Sequence, residues 1–394
     1  MKKKVIVIGG GIAGLSAGIY ALRCGFEVTI LEKHTMAGGH CTAWKRGGYL
    51  FEGGMHWLAG SGEGEALHSL WRTIGGLDDS VTVHYPEPFA EFDFQGTPIR
   101  LYRNVDATEQ HLLKLSPADT REIKKFCNNI RKLSKLNMPI TDLKGLHVTQ
   151  KRRLPLFFFF SMLPVMRVMR EYSKMSREEY ASRFSHEGIA ELIRSIPGAE
   201  QGIAMLFLTL GFMARGAAGF PEGGSLPFVQ RVVNTFKALG GKIHYETCAS
   251  QVLVDKASGE KAGVGKASGV LAAGKRFLAD AVIVTADTMA MEHLFEALPP
   301  SPWFERMKKL TEPTMVTFVS LGIKADLKNY PKFYLFRLKK PMEVLERRYA
   351  YLGLPPALLS GRAAVQYLCR DTGTPFISER SPPFFISNNA LQHQ

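Results

Sequence analysis

VIVIGGGIAGLSAGIYALRCGFEVTILEKHTMAGG, residues 5–39, decides the fold. It opens on VIVI, a continuous apolar and β-branched run of the kind found in parallel strands buried on both faces. Gly9, Gly11 and Gly14 follow at dinucleotide-binding spacing. The first glycine permits a tight strand-to-helix turn, the second lets backbone approach a pyrophosphate, and the third lets the helix pack close to the strand. Ile12 and Ala13 lie between them and join the candidate site. Residues 13–24 carry a helical pattern that Gly25 closes, and residues 26–31 make a second strand ending on Glu32, with Lys33 next. Glu32 falls about 20 residues after the glycines, where a carboxylate accepts hydrogen bonds from an adenosine ribose and disfavours a 2′-phosphate. Gly38 and Gly39 offer a second close backbone approach to a diphosphate or ribityl chain.

The run GGHCTAWKRGGYLFEGGMHW, residues 38–57, resembles the segment after the dinucleotide fold in FAD-dependent phytoene desaturases and carotenoid isomerases. Residues 220–287 resemble the same family's return to its FAD domain, and the likeness covers most of residues 1–290. The resemblance implies FAD as cofactor and an α/β fold. Residues 1–60 and 220–290 would form a discontinuous Rossmann-like FAD-binding domain. Residues 61–219 and 291–394 would form a mixed-sheet and helical domain facing substrate and membrane. It further implies that backbone near Ala249 reads the adenine edge. His40 and His56 follow the diglycine and are the polar residues expected beside the flavin ring. His56 is a candidate for proton transfer, with a satisfied structural histidine as the alternative. The family closes on a glycine-rich segment and a final helix. After Gly322 only the isolated Gly353, Gly361 and Gly373 are found, so that closure is expected to be absent and FAD affinity weakened.

The 394 residues suffice for two domains, and 45% apolar with 22% charged content is ordinary for a globular protein. The formal charge of +14 is not, and favours an anionic partner. No nucleic-acid module is recognisable, and basic clusters flank apolar sequence, so acidic lipid is the expected partner. The clearest case is KRRLPLFFFFSMLPVMRVMR, residues 151–170. Its apolar core, residues 154–166, includes Pro155 and Pro164 and is shorter than the roughly 18 residues of a span. It reads as a surface-lying segment with rings at the acyl boundary and cations near headgroups; a core helix with basic ends is the alternative. Five scattered cysteines without redox or zinc spacing argue for a reducing compartment. The basic, apolar start is like a signal peptide, but the glycine loop interrupts it. A cytoplasmic protein at the inner face of a membrane is therefore expected.

Farther along, residues 65–74 read as a helix, and a hairpin turns at Gln95-Gly96. Ser116-Pro117 opens a basic helix reaching about Leu133, and Ser176 with Glu179 has capping-box spacing. Residues 203–213 are an apolar helix, either core or channel lining. FPEGGSL, residues 220–226, feeds a helix over 226–239 and a strand over 242–246. Residues 256–269, with two KASG copies, read as a solvated turn, and 277–287 as a buried strand. No triad, paired-carboxylate site or metal motif is present in the sequence, which suits a flavin carrying the hydride chemistry. The leading expectation is an FAD-dependent oxidoreductase that desaturates or isomerises a carotenoid-like isoprenoid. An amine-oxidase-like flavoprotein with a smaller substrate and a non-catalytic remnant are the alternatives. Oligomeric state is not legible.

Overall fold

The computed structural model describes residues 2–137, 140–144, 146–149, 156–196, 202–255, 265–287, 290–296, 302–308, 333–335 and 354–378. Strand β1 (Lys4–Ile8), helix α1 (Ile12–Arg23) and strand β2 (Glu27–Leu31) form the expected opening unit. The hairpin of β3 (Ala43–Arg46) and β4 (Tyr49–Glu52), then β5 (Leu58–Ala59) and α2 (Ala66–Thr73), lead to β6 (Val83–His84) and the hairpin β7 (Ala90–Phe94) and β8 (Thr97–Leu101). Helices α3 (Val105–Leu115), α4 (Thr120–Leu133), α5 (Leu156–Tyr172), α6 (Arg177–Ala181), α7 (Glu187–Ser195) and α8 (Ile203–Ala214) follow. The chain returns through β9 (Ala218–Pro221), α9 (Ser225–Ala238) and β10 (Lys242–His244) to β11 (Ala249–Asp255), β12 (Lys266–Ala272), β13 (Lys275–Leu278) and β14 (Ala281–Val284). Helix α10 (Pro302–Lys308), β15 (Phe333–Leu335) and α11 (Leu354–Thr372) complete the described elements.

The sheet β10–β2–β1–β14 is parallel throughout. Val5 and Val7 of β1 pack with Leu15 and Ile19 of α1 and with Phe228 and Val232 of α9. Ile6 and Ile8 face the other way, onto Val252, Val270 and Ala272 of the antiparallel β11–β12–β13 sheet. Burial from both sides is why all four residues are apolar. Within the helical layer, a Cβ on Gly18 would fall 2.6 Å from the Phe236 ring, so α1 and α9 approach more closely than a larger residue allows.

Helix α11, unmarked by any local sequence pattern, lies along α1 in the same direction. The Ser16 hydroxyl donates to the Leu358 carbonyl (2.9 Å), Gly361 abuts Ala13 and Ala17, and Phe376 stacks on Tyr20 (5.7 Å). Its apolar stripe of Leu358, Val365 and Cys369 is broken by Arg362 and Gln366, both buried. Each donates to Asp142 Oδ1 at 2.7 Å, a pairing that no local pattern discloses. Leu358, Val365, Cys369 and Phe376 thus contribute to the core around α1. Helix α2 does likewise, with Trp71 packed edge-on against Phe228 (5.6 Å).

A second core gathers the β15–β7–β8 sheet and helices α3–α8, with Tyr172 and Tyr180 packed edge-on around Phe207. The apolar α8 is core: Ile203, Leu206, Phe207 and Leu210 are buried. The expected turn carries Gln95 and Gly96 at φ 52° and 82°. Ser176 Oγ accepts the Glu179 N–H (3.1 Å) as the capping spacing requires. Ser116 precedes only a single 3-10 turn, Pro117–Asp119, before α4. Residues 256–264 lie outside the described residues, whereas the second KASG copy is within β12, held between β11 and β13 rather than solvated as a turn. The short sheet β5–β9–β6 ties the two halves where the chain crosses between them.

Candidate functional site

The turn after β1 is built from missing side chains. Gly9 has φ +102°, and a Cβ on Gly14 would lie 1.9 Å from the Gly9 carbonyl oxygen. Thr285 at the end of β14 supports the loop, its hydroxyl donating to the Ile8 carbonyl (2.9 Å). Gly11 is the N-cap of α1 and supplies no side-chain acceptor, and no acidic residue occupies the first turn. The helix start therefore has no capping side chain and no acid in its own first turn, which leaves its backbone donors and positive dipole end available to a diphosphate. Because α11 runs parallel to α1, its N-terminus lies at the same end.

Glu32 is buried, its Oε2 accepting the Gly10 N–H (2.6 Å) and its Oε1 the His34 N–H (2.8 Å). Each oxygen keeps a further lone pair for a ribose hydroxyl. Gly10, absent from the sequence-derived set, proves necessary here, since a Cβ would come within 2.9 Å of Glu32 Oε2. Gly38 N–H donates to the Gly10 carbonyl (2.9 Å), and a Cβ on Gly39 would sit 3.1 Å from Gly11 Cα. The two glycine segments thus meet backbone to backbone, a cradle that fits an FAD diphosphate. Thr247 N–H donates to the Glu32 carbonyl (2.9 Å), which brings the start of β11, and so Ala249, to this end of the sheet. Ile12 is buried in the core, Ala13 lies under α11, and Lys33 is exposed beside Glu32.

A second centre forms where β4 ends. Glu52 accepts the N–H groups of Gly54 (3.1 Å), Met55 (3.0 Å) and Ser225 (2.8 Å), together with the Ser225 hydroxyl. Burial opposes ionisation of Glu52, but these donors outweigh it and hold the carboxyl below its ordinary value. Gly223 and Gly224, both at positive φ, make the turn that delivers Ser225. Beside this clamp is a cavity of about 490 Å³ lined by Glu52, Met55, His56, His84, Phe220 and Glu222 among others. His56 thus reaches the cavity wall. His40 does not line it; a Cβ on Gly54 would lie 2.0 Å from the His40 carbonyl. Glu52, Ser225 and His84 were not singled out from sequence. The glycine pair in FPEGGSL was the only signal for them.

A parallel sheet with a glycine cradle at a helix start, an acid on the next strand and a cavity alongside define a dinucleotide-binding flavoprotein of the α/β class. Residues 12–332 match the model of flavin containing amine oxidoreductases, and the chain belongs to that family, with FAD as its cofactor. Over 137 residues the chain is 31% identical to a 4,4'-diaponeurosporene oxygenase of Staphylococcus aureus, a stretch covering 34% of this chain and 27% of that protein. The chain thus matches only about a quarter of the length of that relative. An oxidoreductase from Methanosarcina mazei superposes over 78% of this chain and 66% of its own, at 20% identity and a TM-score of 0.49. A CLA-producing fatty acid isomerase from P. acnes superposes over 75% and 61%, at 18% identity and 0.43. With both scores under 0.5, the family rests on the 12–332 match.

Proposed function

We propose that the protein is an FAD-dependent oxidoreductase that desaturates or isomerises a carotenoid-like isoprenoid drawn from a membrane it touches peripherally. The observation that carries this reading is the outer face of α5, where Phe160, Leu163 and Met166 are exposed alongside Arg167 and Arg170. Val165, Val168 and Tyr172 anchor the opposite face in the second core. An apolar stripe beside cations suits headgroup-level docking. Among the described residues no helix is long and apolar enough to cross a membrane. The likeness to a diaponeurosporene oxygenase supports a polyene substrate.

In this reading the α1 N-terminus, Gly9, Gly11, Gly14, Gly38 and Gly39 hold the diphosphate, Glu32 the ribose, and backbone at Ala249 the adenine. Bound FAD supplies a two-electron acceptor or donor of hydride. His56, on the cavity wall, is the group to which this reading gives proton transfer. The test is to load the chain with FAD, desalt it, and add polyenes in liposomes without oxygen. Flavin bleaching with a lengthened polyene chromophore supports desaturation, and a changed isomer without net bleaching supports isomerisation. Retained flavin with neither change overturns the reading; loss of flavin on desalting favours the non-catalytic alternative. The polar wall of Glu52, His56, His84 and Glu222 favours a second reading, a small amine substrate, for which aliphatic amines should bleach the flavin instead.

A further inference from the structure

The β3–β4 hairpin lies outside the glycine segments described above and carries conspicuous side chains. Its strands pair with each other and, among the described residues, with no other strand. Gly47 and Gly48, at φ +58° and +82°, make a tight turn whose tip stands in open space. Every residue from 44 to 50 is exposed, including Trp44 (47%), Tyr49 (49%) and Leu50 (47%). The register sets Trp44 against Phe51, rings stacked at 6.3 Å, and Arg46 against Tyr49, so these four share one face. Exposed Met36 extends the apolar surface at the base, where its sulfur accepts the Thr42 hydroxyl (3.7 Å).

The exposed charge beside these rings is basic, and Glu52 at the end of β4 is drawn into its clamp with Ser225. Residues 33–51 contain Lys33, Lys45 and Arg46 and no Asp or Glu. Clustered Trp and Tyr beside Lys and Arg is the composition of a bilayer interface, where amphipathic rings sit at headgroup depth and cations meet anionic lipid. The base of the hairpin leads into the cavity. Trp44 packs on Gly53, where a Cβ would fall 2.7 Å from the ring, and Glu52, Met55 and His56 immediately beyond line the cavity wall. One continuous strand therefore runs from the exposed rings to the cavity.

We infer that the β3–β4 hairpin inserts its tip into the headgroup region of an anionic bilayer and forms the lip over which a lipophilic substrate passes to the cavity. This rests on the lipophilic-substrate reading above for the passage, but not for the docking. It adds a docking element separate in sequence from α5, and it places the mouth of the cavity at the membrane.

The test uses the full chain with vesicles of phosphatidylcholine, with and without phosphatidylglycerol, and with bromine-labelled acyl chains as tryptophan quenchers. Quenching is expected only with phosphatidylglycerol, and Trp44→Phe should remove it while sedimentation with the vesicles persists. The triple variant Trp44→Ser/Tyr49→Ser/Leu50→Ser should weaken vesicle partition about tenfold or more at unchanged melting temperature. Quenching that survives Trp44→Phe, or vesicle binding with Trp44 unquenched, overturns the inference. So does concentration-dependent shielding of Trp44 without lipid, which would make the hairpin a contact between copies. Polyene turnover in detergent separates the readings: turnover with an unquenched Trp44 sinks the hairpin alone, and a quenched Trp44 without turnover sinks only the substrate.

Discussion

Glu52 and Ser225, far apart in sequence, are joined twice, through the Ser225 N–H (2.8 Å) and its hydroxyl. The pair locks the end of β4 to the start of α9 and so shapes one wall of the cavity. Because its donors hold the Glu52 pKa down, the carboxylate lends stability above its unfolded pKa and loses it as pH falls through the folded value. Glu52→Gln should cost about 1–3 kcal/mol at neutral pH. The gap to the parent should narrow below about pH 4. Urea unfolding at pH 7 and pH 3 checks this; an equal gap at both would contradict it.

Gly14 and Gly361 are close approaches to backbone. A Cβ at Gly361 would lie 2.2 Å from the Ala13 carbonyl oxygen and 2.8 Å from the Ala17 nitrogen. Gly361→Ala should push α11 off α1, costing about 1–3 kcal/mol, and should lower flavin retention with it. Gly14→Ala should abolish flavin retention outright. Gly25→Ala is the control: its φ is +89° with nothing within 4 Å, so only the backbone strain of about 1 kcal/mol is felt. Thermal melts and flavin absorbance after desalting rank the three.

Arg215 and Glu65 form a largely buried pair, Nη2 to Oε2 at 2.7 Å, between the end of α8 and the start of α2. Burial pushes the Glu65 carboxyl up and the Arg215 guanidinium down, and their attraction offsets only part of it. Arg215→Met alone strands the carboxyl and should cost about 3–5 kcal/mol. Arg215→Met with Glu65→Leu should recover most of that. Chemical unfolding of both variants decides; equal losses would mean that packing, not charge, dominates.

Cys24, the C-cap of α1, and Cys369 on α11 have linked thiol ionisations, and Cys24 Sγ accepts the Ile377 N–H (3.4 Å). The Cys369 thiol, against burial and with help from Ile377 and Arg23, holds the Cys24 thiol below its ordinary value and is itself raised. Treatment with diamide should join the two as a disulfide, read as a linked peptide pair in a non-reducing digest. Cys41 and Cys127, whose thiols burial pushes up to about 12, should remain reduced. Diamide-treated protein without the linked pair would exclude it.

The sequence by itself determined the opening β1–α1–β2 unit, the glycine cradle and the acid after β2. These follow from steric rules acting over a few residues: a turn that needs a missing Cβ, and a strand that is apolar throughout because both faces are covered. The tertiary structure alone decided the packing of α11 on α1, the Glu52–Ser225 clamp and the linkage of Cys24 with Cys369. Gly361 is an isolated glycine until Ala13 is set against it, and Arg362 and Gln366 read as surface until Asp142 receives them. Such residues answer to partners brought near by packing of the whole chain, and burial with a distant partner leaves no period or spacing in the local sequence.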